Sequence, residues 1–187
     1  MTTYLIADPH FGHEGIIRLC ERPFANISDM NSTLRMNWNA VVRPDDDVIV
    51  VGDFAHRMEP KALRALFDSL TGRKHLVIGN HDRESLALPW ATPPQHIQFT
   101  SIDSQRVVLC HYAMRTWPGI KKGALMLYGH NHGRLAGNRQ SMDVGVDVMG
   151  WAPVRLSAIK ARLAQLPPLV DPEATSEIEN TSGEVQP

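Results

Sequence analysis

Side chains that can bind metals are concentrated at a few points of this chain, each directly after a short apolar run. The run Leu76–Ile78 stops at a glycine, and Asn80, His81 and Asp82 follow it. The other such donors are Asp8, His10, Asp53, His111, His130 and His132. Carboxylate, amide and imidazole groups are hard or borderline ligands, and none of these donors is a thiolate. The set therefore suits Mn²⁺, Fe²⁺ or Zn²⁺ better than a soft metal.

The number of donors exceeds what one ion needs and fits two ions that share a carboxylate. Two ions about 3.5–4 Å apart can hold a hydroxide nucleophile and clamp the oxygens of an in-line phosphoryl displacement. A lone histidine such as His111 is more often structural, so it is the complete series that favours ligand roles. The donor set predicts a binuclear centre for phosphoryl chemistry.

The elements that position these donors are predicted from hydrophobic patterning. Because functional groups collect past the carboxyl ends of strands in α/β sheets, each apolar run before a donor is interpreted as a strand. The predicted strands are Tyr4–Ala7, Val48–Val51, Leu76–Ile78, His96–Ser101, Arg106–Cys110, Leu125–Tyr128, Met142–Val148 and Pro153–Leu156. Apolar residues at helical spacing predict a helix from an N-cap at Ser28 to Pro44, with Val41 on its buried face. A second runs from Pro60 to a C-cap at Gly72, and a last one covers Ala158–Leu166.

The resulting order, strand, loop and helix repeated and then a run of strands, favours an α/β sandwich of mixed sheets flanked by helices. Its ligand turns should cluster along one sheet edge. From Pro167 the composition shifts to proline, glutamate, serine and threonine, which predicts a disordered tail. We therefore expect one domain over residues 1–166 and a tail over residues 167–187.

Composition limits the partners of the chain. It has 187 residues and a formal net charge of −1 at pH 7, so no overall field attracts nucleic acid or an anionic membrane. Cys20 and Cys110 show no paired spacing and are expected to be reduced core thiols. No charged start with a long apolar run and no run near membrane length is present, so we expect a cytoplasmic protein without a membrane span.

Taken in order, the motifs D-x-H, G-D, G-N-H-D, a lone H and G-H-x-H resemble the calcineurin-like binuclear metallophosphoesterase superfamily. The resemblance reaches to about Leu166, and Asp8–His13, Arg22–Phe24 and Gly72–Lys74 resemble a small bacterial and phage branch of phosphoesterases. It implies a four-layer α/β/β/α sandwich with mixed sheets. It also implies a hydrolase of phosphodiesters or phosphomonoesters with two divalent transition-metal ions, manganese being favoured and iron or zinc being alternatives.

The resemblance also implies a role for each donor. Asp53 would bridge the two ions. The other ligands would be Asp8, His10 and His132 for the first ion, and Asn80, His111 and His130 for the second. His81 would not be a ligand but would donate to a phosphate oxygen and protonate the leaving group. Asp82 would accept from the other nitrogen of His81, fix its tautomer and raise its pKa.

The second motif departs from the larger family. His56 and Arg57 stand where phosphatases with G-D-x-x-D-R-G carry an acid and an arginine, which argues against protein-phosphatase activity. The chain is also too short for the large cap domains that select nucleotides or DNA ends. His13, His56 and Arg22 are candidates for contacts with the substrate.

Asp143 and Asp147 are expected on a solvent face or in a turn, although one of them could orient a ligand histidine. A nuclease for single-stranded nucleic acid would use the same chemistry, and a basic group flanks the predicted site: Arg115, Lys121, Lys122, Arg134 and Arg139. The near-neutral charge and few aromatic residues argue against it. A non-catalytic scaffold is the third hypothesis, but scaffolds tend to lose ligands that this chain keeps. The sequence leaves the substrate and the oligomeric state open.

Overall fold

The computed structural model describes residues 1–170 of the chain. Most of the predicted disordered tail, residues 171–187, lies outside the described residues. Within the described part, Pro167 accepts a hydrogen bond from the backbone N–H of Arg139 (2.9 Å). Leu169 is partly buried against a hydrophobic cluster that contains Trp117. The chain therefore still contacts the folded domain just beyond residue 166.

Within residues 1–170 the strands form two mixed sheets of four strands each, in the orders β3-β2-β1-β8 and β4-β5-β6-β7. The strands are β1 (Thr3–Ile6), β2 (Asp47–Val51), β3 (Arg73–Val77), β4 (Ile97–Ile102), β5 (Gln105–Cys110), β6 (Leu125–Tyr128), β7 (Ser141–Asp143) and β8 (Val154–Arg155). In the first sheet β1, β2 and β3 are parallel and β8 is antiparallel to β1. In the second sheet β4 and β5 form an antiparallel hairpin, and β5, β6 and β7 are parallel.

The α-helices lie mostly between strands of the first sheet or after its last strand. They are α1 (Glu14–Leu19), α2 (Ile27–Val41), α3 (Pro60–Ser69), α4 (Val146–Met149) and α5 (Leu156–Leu163), and short 3₁₀ helices cover Ser85–Ala87 and Ile120–Lys122. None of the helices in the described residues has the length and apolar character needed to cross a bilayer.

The alternation of side chains along each strand divides the core into layers. Leu5 of β1 and Leu127 of β6 share one cluster, so the two sheets pack face to face. The neighbouring Ile6 points the other way and packs with Trp38 of α2 and Phe67 of α3. These packed mixed sheets and helices confirm the predicted fold class. On the outer face of the second sheet the covering layer is the segment around Trp117 with its 3₁₀ helix.

Helix α2 begins two residues earlier than predicted. Its N-cap is Asn26, whose side-chain oxygen accepts from the backbone N–H of Asp29 (3.0 Å), and not Ser28. An asparagine oxygen satisfies a free first-turn N–H as well as serine does, so Ser28 falls inside the helix. At the other end the predicted core residue Val41 is 38% exposed, whereas Val42, just after the helix, is 4% exposed.

The predicted strand Met142–Val148 is wrong in its second half. The strand β7 ends at Asp143, and Val146–Met149 forms helix α4 instead. The carboxylate of Asp143 accepts from the backbone N–H groups of Gly145 (2.7 Å) and Gly133 (2.9 Å), which turns the chain away from the sheet. Valines at every second position gave this segment the two-residue period that is typical of a strand.

Smaller differences concern element ends. Helix α3 ends with Leu70 as C-cap, and Gly72 follows in the left-handed region (φ 91°) on the way into β3. Helix α5 starts at Leu156, which shortens the predicted strand before it to β8. The predicted hairpin is confirmed, with Asp103 and Ser104 both at positive φ, as a type I′ turn requires. Cys20 and Cys110 are both free and half-buried.

Candidate metal centre

The parallel strands of both sheets deliver the predicted donors to one region. The donors follow strand ends in chain order: Asp8 and His10 after β1, Asp53 after β2, Asn80 and His81 after β3, His111 after β5, and His130 and His132 after β6. Two hydrogen bonds tie the loops together: Asp8 N–H donates to Gly52 (3.1 Å), and His130 N–H donates to Asp8 Oδ2 (2.9 Å). The second bond joins the two sheets at their carboxyl edges.

The backbone at these donors is strained. Several candidate ligands have left-handed φ angles, which non-glycine residues rarely adopt: Asp8 (54°), His10 (51°), Asp53 (55°), His130 (66°) and His132 (48°). Such a conformation costs about 1–3 kcal/mol per residue and persists only where the surroundings enforce it. Its concentration at the predicted ligands marks this region as a functional site.

Glycines make room for the tight approach of the loops. A Cβ atom on Gly79 would lie 2.3 Å from Asp53 Oδ1, and one on Gly129 would lie 2.4 Å from Asp8 Oδ2. Any side chain at these positions would therefore displace a candidate ligand. This explains why the G-N-H-D and G-H-x-H motifs each begin with glycine.

The first group of donors is Asp8, His10 and His132, whose ligand atoms lie within 4.8 Å of one another. Asp8 and His10 are buried. Within the described residues, Asp8 Oδ1 and both ring nitrogens of His10 have no hydrogen-bond partner. A buried polar atom without a partner costs about 1–3 kcal/mol. A cation among these atoms would satisfy them, so the group fits a metal ion.

The second group is Asp53, His111 and His130, again with ligand atoms within 4.8 Å of one another. His111 Nδ1 lies 3.1 Å from the Val51 carbonyl and must donate to it, because a carbonyl only accepts. Its Nε2 then faces Asp53 Oδ2 (3.4 Å) and Asn80 Oδ1 (3.1 Å), to which the protonated ring donates; once that proton is lost, Nε2 offers a lone pair to a metal. Asn80, predicted as a ligand, therefore lies beside this group.

Asp53, a member of the second group, also adjoins the first. Its Oδ2 is 3.5 Å from His10 Nε2 and 3.4 Å from His111 Nε2. A carboxylate that binds two ions must lie close to the ligands of both. One oxygen of Asp53 meets this requirement, because it lies near a nitrogen donor of each group. Its other oxygen, Oδ1, accepts from the backbone N–H of His81 (2.8 Å).

The electrostatics of the pocket favour positive charge. Burial alone would raise the pKa of Asp53, but the hydrogen bond from His111 and the charges of His111 and His10 lower it to about 2. Burial alone would lower the pKa of His111, but Asp53 and the charge of Asp8 raise it to about 9. Burial lowers the pKa of His10 to about 2, so its imidazole is neutral and has a lone pair available. Ionised carboxylates and neutral imidazoles are the forms that bind divalent metals, so Asp53 and His10 are already in that form, whereas His111 must first lose a proton.

A cluster of imidazole rings lies beside the first group. The ring of His56 is centred 4.3 Å from that of His13 and 4.6 Å from that of His81, and His81 is 5.4 Å from His10. Burial, followed by the charge of His56, lowers the pKa of His13 to about 4. Burial and then His81 also lower the pKa of His56. The structure thus brings His13 and His56, both predicted to line the pocket, next to His81.

Asp82 does not have its predicted partner. Its buried carboxylate accepts from the backbone N–H groups of Asp53, Phe54 and Gly79, each at 2.8 Å. Among the hydrogen bonds of the described residues, none joins the ring of His81 to Asp82. The prediction that Asp82 fixes the tautomer of His81 is therefore wrong. Asp82 instead ties the loop after β2 to the loop after β3, which hold Asp53 and His81.

Arg22 does not lie where a substrate would meet it. It is 4% exposed, and its guanidinium donates to both oxygens of Asp147 (2.9 and 2.8 Å). The remaining N–H groups donate to the carbonyls of Asp8 (2.9 Å) and Pro9 (3.1 Å). The prediction of a substrate contact for Arg22 is therefore wrong, because its donors are used beneath the first metal loop.

Asp143 and Asp147 also differ from the expectation of solvent-face residues. Asp143 is buried, and Asp147 Oδ2 lies 2.8 Å from His132 Nδ1. Asp147 therefore fits the alternative, in which one of the two acids orients a ligand histidine.

Tyr112 is a site residue that sequence reasoning missed. Its hydroxyl donates to Asn80 Oδ1 (3.3 Å), and its ring is centred 4.6 Å from that of His130. It is 49% exposed, so it borders the mouth of the site beside the second group. The available signal was its position directly after His111 at a strand end.

Comparisons with known proteins agree with this geometry. The family model for calcineurin-like phosphoesterases matches residues 1–166, which include every strand end described above. An uncharacterized protein of Methanocaldococcus jannaschii is 31% identical over 164 residues, or 83% of this chain and 88% of that protein. The gene 66 protein of Mycobacterium phage L5 is 32% identical over 83 residues, or 43% of this chain and 39% of that protein.

A solved structure is also similar. The protein of unknown function AQ665 from Aquifex aeolicus superposes on this chain with a TM-score of 0.66 at 25% identity. The superposition covers 86% of this chain and 98% of that one. The similarity therefore extends over nearly all of that protein.

Proposed function

The chain belongs to the calcineurin-like phosphoesterase family, and we propose that it hydrolyses phosphoric esters with two divalent metal ions held at the strand-end cluster. Family membership supports the reaction class and the need for divalent metal. The observation that carries the two-ion proposal is the pair of donor groups, each compact within 4.8 Å, that adjoin the single carboxylate of Asp53.

In this proposal the ligands follow the two groups, with Asn80 added to the second and Asp53 shared. The first ion takes Asp8, His10 and His132, the second takes Asn80, His111 and His130, and Asp53 is shared. Support comes from the buried atoms of Asp8 and His10 that have no hydrogen-bond partner within the described residues. The donor chemistry suits manganese, with iron or zinc as alternatives.

When bound, such a pair of ions supplies an activated water nucleophile and neutralises charge on the phosphoryl oxygens. The protein's own part is to fix the ester beside the shared carboxylate and to deliver a proton to the leaving group. His81 is our candidate for this second task. Its backbone N–H donates to Asp53 Oδ1, which fixes its loop, and its half-buried ring belongs to neither donor group. We assign His81 the role of general acid.

His13 and His56 are proposed to bind the phosphate oxygens of the ester. Both lie beside His81, and burial keeps the pKa of each below its usual value. At neutral pH they are therefore uncharged and can each donate one N–H to an oxygen. Neutral donors orient an anionic group without repelling the metal ions nearby.

The experiment is a matrix of metals and substrates. Metal-free protein is supplied with Mn²⁺, Fe²⁺, Zn²⁺, Ni²⁺ or Mg²⁺ and assayed with a nitrophenyl phosphomonoester, a bis-nitrophenyl diester, cyclic nucleotides and single-stranded DNA. We expect metal-dependent hydrolysis of at least one of the small esters, strongest with a transition metal. Asp53→Asn is the inactive control, and Asp47→Asn, a change of the same kind far from the donors, should stay active.

The two other hypotheses predict different results. Cleavage of single-stranded DNA without hydrolysis of small esters would favour a nuclease. Two bound ions without hydrolysis of any of these substrates would contradict the proposal and favour a non-catalytic scaffold.

A further inference from the structure

Arg22 and Asp147 form a buried ion pair that joins parts of the chain 125 residues apart. The guanidinium forms a bidentate pair with the carboxylate, a fork in which Nε lies 2.9 Å from Oδ1 and Nη2 lies 2.8 Å from Oδ2. The ring of Trp151 covers the guanidinium, with 5.6 Å between Cζ and the ring centroid. A buried pair of this kind needs such close geometry to offset the cost of removing both charges from water.

The pair contacts the loop that carries Asp8 and His10 and the ring of His132. Arg22 donates to the carbonyls of Asp8 (2.9 Å) and Pro9 (3.1 Å), the backbone that leads into His10. Asp147 Oδ2 lies 2.8 Å from His132 Nδ1. A carboxylate only accepts, so Nδ1 must carry the proton, and the lone pair that can bind a metal is left on Nε2.

The second donor group is held by other contacts. His111 donates from Nδ1 to the Val51 carbonyl, and Asn80 Oδ1 accepts from Tyr112. Within the described residues, no hydrogen bond or ion pair joins Arg22 or Asp147 to Asn80, His111 or His130. The pair is therefore connected to one donor group and separate from the other.

We propose that Arg22 and Asp147 are positioning residues that set the metal affinity of the first donor group and not of the second. The inference rests on the proposed two-ion site. It follows because one rigid fork fixes both the loop of the first motif and the carboxylate that orients His132. Groups that orient metal ligands typically contribute about 10–100-fold to metal affinity.

The variants that test this are Arg22→Lys and Asp147→Asn in the full chain. Lysine keeps the charge but cannot form the fork, and asparagine keeps the shape but not the charge. A matched control exists at the far ends of β2 and β3. There Arg73 donates to both oxygens of Asp47 (2.9 and 2.8 Å), and His75 Nε2 lies 2.9 Å from Asp47. Arg73→Lys and Asp47→Asn remove the same contacts away from the donors.

The measurement is calorimetric titration of the metal-free protein with Mn²⁺. Wild type should show two binding events, and each site variant should weaken one of them by about 10–100-fold and leave the other within about twofold. The control variants should match wild type in both. Equal weakening of both events, or of neither, would overturn the inference.

A second measurement needs no variant and no metal. Nitrogen NMR of the imidazoles in metal-free wild type reports which nitrogen of His132 carries the proton. We expect Nδ1–H, and an Nε2–H tautomer would overturn the inference even if the variants do not fold. If wild type binds one ion or hydrolyses no ester, the proposed function fails, whereas this tautomer still decides the positioning role.

Discussion

His81 lies among the candidate ligands but belongs to neither donor group. It borders the first group through His10, and it borders the proposed phosphate-binding histidines through His56. A general acid and a ligand should respond differently to removal. Loss of a ligand releases metal, whereas loss of the acid slows only those reactions whose leaving group needs a proton.

His81→Ala should therefore lower kcat for alkyl or nucleoside esters by about 10²–10⁴-fold. Nitrophenyl esters should be affected much less, because nitrophenolate leaves without protonation. The readout is kcat for both ester types with metal content measured in parallel, and His96→Ala, at an exposed position, serves as control. An equal loss on both esters would point to substrate positioning, and a loss of metal would make His81 a ligand.

Asp53 is the residue on which both donor groups depend. Its pKa is lowered to about 2, so the carboxylate is ionised at neutral pH. Asp53→Asn removes that charge without changing the shape, and we predict the loss of most of both ions and nearly all activity. Metal analysis and turnover of the variant check this. Retention of both ions with wild-type turnover would show that Asp53 is not shared.

At the scale of elements, the parallel strand ends and their glycine turns could be predicted from the sequence. A short apolar run that stops at Gly79 or Gly129 leaves few alternatives to a strand and a tight turn. The cross-links between loops could not be predicted. The partners of Arg22 and Asp82 are set by tertiary packing, and each side chain binds backbone that is distant in sequence or hidden in a turn.

Asp82 should matter to folding more than to proton transfer. Its buried carboxylate accepts three backbone N–H groups, and Asp82→Ala would leave them without partners. We expect the free energy of unfolding to fall by more than about 3 kcal/mol, measured by urea denaturation. Asp68→Ala, which removes only an exposed pair with Arg64, should change it by less than about 1 kcal/mol. Similar small losses in both variants would refute this role.

Over the whole molecule, the two donor groups differ in exposure. In each group two ligands are buried, but His132 of the first group is half-buried, whereas His130 of the second group and the neighbouring Asn80 are exposed. The inner position should therefore fill first and exchange slowly, and the outer position should be labile.

The family and fold could be predicted from ordered motifs, because each motif is short and continuous. The difference in exposure between the two donor groups could not be predicted, because it depends on how the two sheets pack.

Metal uptake at the outer position should depend on pH. The pKa of His111 is raised to about 9, so below that pH the imidazole is protonated and a metal must displace the proton. The affinity of the weaker site should rise by up to about tenfold per pH unit from pH 6 and level off near pH 9. Mn²⁺ titrations across this pH range test whether the affinity rises with pH. An affinity that is constant or falls with pH would contradict the charge state assigned to His111.

The central claim is that activity requires both ions. Its most direct test is a stoichiometric titration of metal-free protein with Mn²⁺ while hydrolysis of the best small ester is followed in the same sample. We predict little turnover up to one equivalent, a rise that follows the second, and a plateau at two ions per chain. Full activity with one tightly bound ion would contradict the two-ion account.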